Sequence, residues 1–114
     1  MNLILVGYRG TGKSTVARLL AESLGLPLVG FDAELVRRAG QSIPELVALK
    51  GWDHFRDLEQ SLVAEVVQRT GRVLDCGGGV VERRANIAAL RGSGTVFWLT
   101  AKTATIVAQK LVDA

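Results

Sequence analysis

Near the start of the chain, Gly7-Tyr8-Arg9-Gly10-Thr11-Gly12-Lys13-Ser14-Thr15 combines the residue types that bind phosphate. Glycines let the backbone take positive φ and pass close to an anion. Consecutive N–H groups then aim at phosphate oxygens, at the positive end of a helix dipole. In such a loop Lys13 reaches the β- and γ-phosphates of a nucleotide and the Ser14 hydroxyl ligates Mg²⁺. The stretch matches the phosphate-binding pattern G-x-x-x-x-G-K-[ST] at every fixed position. A bare G-K-[ST] could be a tight strand-to-helix turn that binds nothing; the full spacing argues against that.

Further along, other residues could act on what such a loop holds. Asp32 follows an apolar run and can cap a helix, accept a hydrogen bond from a substrate hydroxyl, or do both. Arg56 and Glu59 have the i,i+3 spacing of an ordinary surface pair. In the functional alternative Arg56 grips a carboxylate with both guanidinium arms while Glu59 holds it in place. Gly77-Gly78-Gly79 costs chain entropy beyond what one corner needs, which favours a backbone that a ligand approaches closely. His54, the single histidine, has no neighbours with which to bind a metal and reads as a helix-face residue. Cys76 follows an apolar strand and reads as a buried, inert thiol. Trp52 and Trp98 read as packing.

The elements that must position these groups alternate along the chain. Leu3-Ile4-Leu5-Val6 reads as a buried parallel strand. A helix over Lys13 to Leu24 follows, with Val16, Leu19, Leu20 and Leu24 inward, ended by Gly25 and Pro27. Pro27 to Phe31 is a second strand. Asp32 caps a helix over Ala33 to Ala39, which Gly40 stops. Ser42 caps another, with Pro44 and Glu45 in its first turn, and Gly51 interrupts the chain. The longest helix runs from Trp52 to about Arg69, with Phe55, Leu58, Leu62, Val66 and Val67 on one face. Arg72 to Cys76 is a third strand. A helix over Glu82 to Arg91 turns Ile87 and Leu90 inward, and Gly92-Ser93-Gly94 forms a turn. Thr95 to Leu99 is a fourth strand and Thr103 to Val112 begins a last helix. Alternating strands and helices predict an α/β fold, three-layer α/β/α, with right-handed crossovers. Ligands then gather at the C-terminal strand ends, at Gly7–Ser14, Asp32, Asp75–Gly79 and Thr100.

The chain has 114 residues, one small domain, and 48% of them are hydrophobic, which disfavours disorder. No apolar run reaches the ~20 residues of a membrane span. The first residues read as a strand rather than a signal peptide, and the lone cysteine suits a reducing cytoplasm. The net charge of +3 comes from scattered Arg and Lys, which fits phosphate handling better than nucleic acid or a membrane surface.

Taken together, the phosphate loop, an acidic residue after the second strand, Phe55-Arg56-x-x-Glu59 in a long helix and Gly77-Gly78-Gly79 after the third strand resemble shikimate kinase. Gln41-Ser42-Ile43-Pro44-Glu45 matches a further stretch of that family. The resemblance covers essentially the whole chain. It implies a P-loop NTPase-type parallel sheet of order 2-3-1-4. It implies ATP and Mg²⁺ as cofactors and phosphorylation of shikimate to 3-phosphoshikimate on the way to aromatic amino acids. Gly10, Thr11, Gly12, Lys13, Ser14 and Thr15 would hold the ATP phosphates, with Lys13 stabilising the transferring group and Ser14 on Mg²⁺. Asp32 would accept the shikimate hydroxyl proton. Arg56 would bind the shikimate carboxylate, oriented by Glu59. Gly78, with Gly77 and Gly79, would offer backbone contacts. The substrate-binding region would span about 32–60.

Two departures stand out. Gly30 replaces a carboxylate that the family usually supplies to the Mg²⁺ water shell; Asp75, at the end of the neighbouring strand, could replace it or could be a strand-end cap. The family's chain also continues into a lid and a fifth strand. This chain therefore reads as C-terminally incomplete, with the fourth strand on an exposed edge, and at this length self-association and negligible turnover are expected; at full length a family-like monomer is. Two alternatives remain open on sequence: another small-metabolite kinase, such as one acting on gluconate, and a non-catalytic nucleotide-binding relative.

Overall fold

The computed structural model describes residues 1–7 and 12–99, and the backbone of 108–110. Strand β1 (Asn2–Val6) lies at the centre of a sheet with β2 (Leu28–Gly30), β3 (Val73–Cys76), β4 (Gly94–Leu99) and β5 (Ala108–Lys110). The spatial order is β2-β3-β1-β4-β5, and β2, β3, β1 and β4 run parallel as the α/β pattern requires.

Side chains alternate across this sheet and define two cores. Ile4, Val6, Leu74, Cys76 and Val96 face a layer built from α2 (Phe31–Ala39), α3 (Ile43–Lys50), α4 (Trp52–Val66) and α5 (Arg84–Ser93). Leu5, Val73 and Leu99 face α1 (Lys13–Leu24), the one described helix on that side. By the same alternation Asp75, between Leu74 and Cys76, shares the α1 side with Val73.

Several expectations are corrected. On α1 the buried positions are Ala17 and Ala21, one turn apart, while Leu19 and Leu24 are exposed; two small residues let the helix lie close against the sheet. Gly30, not Asp32, is the N-cap of α2, so Asp32 sits inside the first turn. The α4 helix ends at Val66, and its core face is Phe55, Glu59, Leu62, Val63 and Val66, with Leu58 and Val67 only partly buried. A 3-10 segment, Gly78–Glu82, precedes α5, which runs through Gly92 to Ser93. Leu90 is inward as expected, with Asn86 beside it and Ile87 only partly buried.

Where a helix over Thr103 to Val112 was expected, Ala108–Lys110 is a strand, antiparallel to β4. The sheet thus has a fifth strand, and the outer edge of β4 is paired rather than open. An unpaired edge offers a row of N–H and C=O groups that a short passing segment can satisfy. Other features hold: Gly25 and Gly40 terminate α1 and α2 in the left-handed region, and the Ser42 hydroxyl accepts from the Glu45 N–H at 3.2 Å. The β1–β4 approach is so tight that a Cβ at Gly94 would strike the Asn2 backbone. No helix among the described residues is long and apolar enough to cross a membrane.

Candidate active site

The C-terminal ends of β1, β2 and β3 open into one cavity of about 570 Å³. It is lined by Gly12, Lys13, Ser14 and Thr15 at one end, and by Arg56, Glu59, Gly77, Gly78 and Gly79 at the other, with Asp32 also on the wall. Residues predicted from four separate stretches thus meet in one place. Gly10, Thr11 and Thr100 lie outside the described residues.

At the phosphate end Gly12 caps α1 with φ of 75°, which only glycine adopts readily. Lys13 and Ser14 begin the helix, so their side chains stand at its positive end. Both are engaged by Asp75. Lys13 Nζ forms an ion pair with Asp75 Oδ1, and Ser14 Oγ donates to Asp75 Oδ2 at 3.0 Å. The alternation of β3 turns Asp75 toward α1, which brings it under these two groups.

At the other end the Arg56–Glu59 pair is no ordinary surface pair. The Glu59 side chain is only 3% exposed and that of Arg56 18%. Arg56 Nη1 donates to Glu59 Oε1 at 2.9 Å and Nη2 meets Glu82 Oε2 at 2.7 Å. Burial pushes the Glu59 carboxyl above the usual carboxylate range, against the pull of Arg56. The guanidinium carbon lies 5.4 Å from the Trp52 ring centroid and 5.2 Å from that of Phe55. These two rings meet edge to face, so an aromatic corner holds the cation.

The triple glycine has a spatial explanation at Gly79, where any Cβ would collide with the Arg56 guanidinium. A Cβ at Gly77 would sit 3.6 Å from Asp32 Oδ1 and 3.7 Å from Glu59 Oε2. The Asp32 carboxylate, exposed on α2, therefore faces the same turn as the Arg56–Glu59 pair.

Sequence reasoning missed Glu82 and the role of Trp52. Trp52 was read as packing; it is 58% exposed and lines the cavity. Its spacing of one helical turn from Arg56 was the available signal. Glu82 gave none, because its approach to Arg56 depends on the 3-10 turn after the glycines. His54 lies on α4, outside the cavity lining, and Cys76 is fully buried with its thiol pushed well up by desolvation, both as expected.

Residues 9–111 match the family model for shikimate kinase. The chain belongs to the shikimate kinase family. A shikimate kinase of Pseudomonas syringae pv. syringae is 48% identical over 100 residues, 88% of this chain and 58% of that protein. The crystal structure of shikimate kinase from Aquifex aeolicus superposes with a TM-score of 0.82 at 32% identity, over 87% of this chain and 59% of that one. A shikimate kinase from Acinetobacter baumannii, solved in complex with shikimate, gives 0.82 at 37% identity, over 85% and 54%. The chain therefore spans somewhat more than half the length of the relatives it matches.

Proposed function

We propose that the protein transfers the γ-phosphoryl group of ATP to a shikimate hydroxyl, giving ADP and 3-phosphoshikimate. The observation that carries this reading is the pairing, in one cavity, of a carboxylate clamp at Arg56 with a phosphate cradle at Lys13 and Ser14. Arg56 already has a carboxylate, that of Glu82, on its outward arm. A substrate carboxylate suits the same arm, while Glu59 holds the other from below. Asp32 lines the same cavity, beside the Gly77 turn, and is suited to take the proton of the attacking hydroxyl. The bond between that oxygen and the γ-phosphorus forms as the bridging oxygen leaves with ADP. Lys13 offsets charge on the transferring group, with the loop from Gly10 to Thr15 donating N–H groups to the phosphates.

Ser14 and the carboxylate beneath it are hard oxygen donors at the phosphate end, which fits Mg²⁺. Among the described residues no cluster of three metal-binding side chains exists, so the ion would arrive with the nucleotide. When bound, Mg²⁺ neutralises charge on the phosphates. Catalysis otherwise rests on positioning. A small-molecule substrate and a cytoplasmic setting belong to the same reading.

The test is a substrate panel on the protein at its full encoded length, with ADP release and product mass as readouts. Shikimate should be phosphorylated well above gluconate, whose flexible chain does not pre-set the distance between carboxylate and hydroxyl. Equal use of both, or no phosphorylated shikimate, would remove this assignment.

A further inference from the structure

The described carboxylate nearest the phosphate loop is Asp75, and its two partners are the groups that a nucleotide would take from it. Lys13 goes to the phosphates and Ser14 to Mg²⁺ in any loop of this kind. Asp75 is only 11% exposed, so losing Lys13 would leave a poorly solvated negative charge. A cation beside Ser14 Oγ, 3.0 Å from Asp75 Oδ2, would restore the balance. The strand register adds an independent observation. The residue paired with Asp75 across the β2–β3 ladder is Gly30. Parallel partners point to the same face, so a side chain at position 30 would stand beside Asp75 on the same rim. Gly30 has φ of −91°, which any residue can adopt, and nothing lies within 4 Å of a Cβ built there. Neither backbone strain nor crowding requires the glycine. The rim carries one carboxylate at these paired positions instead of two like charges side by side.

We propose that Asp75 is the carboxylate that accepts hydrogen bonds from the water shell of nucleotide-borne Mg²⁺ in this protein. The work is done from β3 because β2 ends in Gly30. The ion pair with Lys13 is then the resting arrangement, and nucleotide binding exchanges one cation on Asp75 for another. Mg²⁺ keeps several of its waters and uses one or two carboxylates with substrate phosphates, which this geometry supplies. The inference rests on the nucleotide-binding reading above.

Calorimetric titration with ADP, in MgCl₂ and in EDTA, tests it without turnover, using the protein at its full encoded length. Asp75→Asn should lose about tenfold or more of the tightening that Mg²⁺ gives, with metal-free ADP affinity kept or improved because Lys13 is freed. The double change Gly30→Asp with Asp75→Asn should recover most of the Mg²⁺ effect. Asp75→Ser, read by the same two titrations, replaces the Asn variant if that protein does not fold. A variant that keeps the full Mg²⁺ effect, or loses ADP affinity equally in both buffers, would make Asp75 a structural residue and overturn the proposal. A double variant no better than the single would overturn the equivalence of the two strand-end positions. If the parent binds no ADP in either buffer, the nucleotide reading itself fails and takes this inference with it.

Discussion

Glu34–Arg37 and Arg56–Glu59 are both i,i+3 ion pairs on amphipathic helices, yet they do different things. On α2 the Arg37 side chain is 69% exposed, and Arg38 joins the group by bridging Glu34 and Glu65 at 2.8 and 2.7 Å. The Arg37 and Arg38 guanidinium groups lower the Glu34 carboxyl to about 2, while water still reaches every member. On α4 the order of charges is reversed and Glu59 points into the core beneath Arg56. There burial raises the carboxyl instead of lowering it. The difference is the helix face. A pair in water orders two side chains to little effect, whereas a buried carboxylate fixes one guanidinium at one place in a cleft.

The largest expected effect follows from the glycine under Arg56. Gly79→Ala puts a methyl group where the guanidinium lies, and the flexible arginine swings away more readily than the backbone moves. Catalytic efficiency on shikimate should fall by about 100-fold, as for a roughly 1 Å misplacement, with the melting temperature almost unchanged. A variant that melts far lower would mean that the glycine serves the fold rather than the clamp.

A smaller effect is expected for Glu59→Gln. At neutral pH it should lose about 1–3 kcal/mol of stability, the worth of a hydrogen bond to a charged group. Its pH dependence carries a sign. The folded carboxyl is raised above its ordinary value near 4.5, so the folded state holds its proton longer than the unfolded chain does. Burying the ionised group costs stability that appears as pH rises through the raised value. The parent's advantage over Glu59→Gln should therefore be largest at low pH and shrink upward. Urea midpoints across that range that keep a constant gap would remove the buried-carboxyl account.

The smallest effect belongs to the surface network. Glu34→Gln should leave the urea midpoint within experimental scatter at neutral pH, and any change should fade with added salt. The depressed carboxyl means that its contribution is present above the ordinary carboxylate range and is lost as pH falls through about 2. A large salt-independent loss at pH 7 would erase the contrast between the two pairs.

Much of this arrangement was legible in the chain. The apolar run Leu3 to Val6, the alternation of strands with helices, the glycine stops and the phosphate-loop spacing led to the parallel sheet and to one end of the cavity. What escaped depended on facing. Glu59 stands between Phe55 and Leu62 at i+4 and i−3, within the apolar stripe, but a charged residue there reads as an interruption until burial is seen. Asp32 looked like a cap because helix starts are uncertain by a residue or two. Leu19 and Leu24 looked inward because, with Val16 and Leu20, they are apolar at near-helical spacing, although Ala17 and Ala21 are the residues that pack on the sheet. The antiparallel β5 was invisible because its short segment carries helical periodicity, and only the free edge of β4 makes a strand of it.

In the proposed function Glu59 fixes one arm of the Arg56 fork and a substrate carboxylate takes the other. Steady-state kinetics of Arg56→Lys at full encoded length, varying shikimate and ATP separately, test this clamp. Lysine keeps the charge but loses the fork. The shikimate KM should rise by about tenfold or more, in line with losing a charged hydrogen bond, while the ATP KM stays within about twofold. Equal rises for both substrates, or no rise for shikimate, would contradict it.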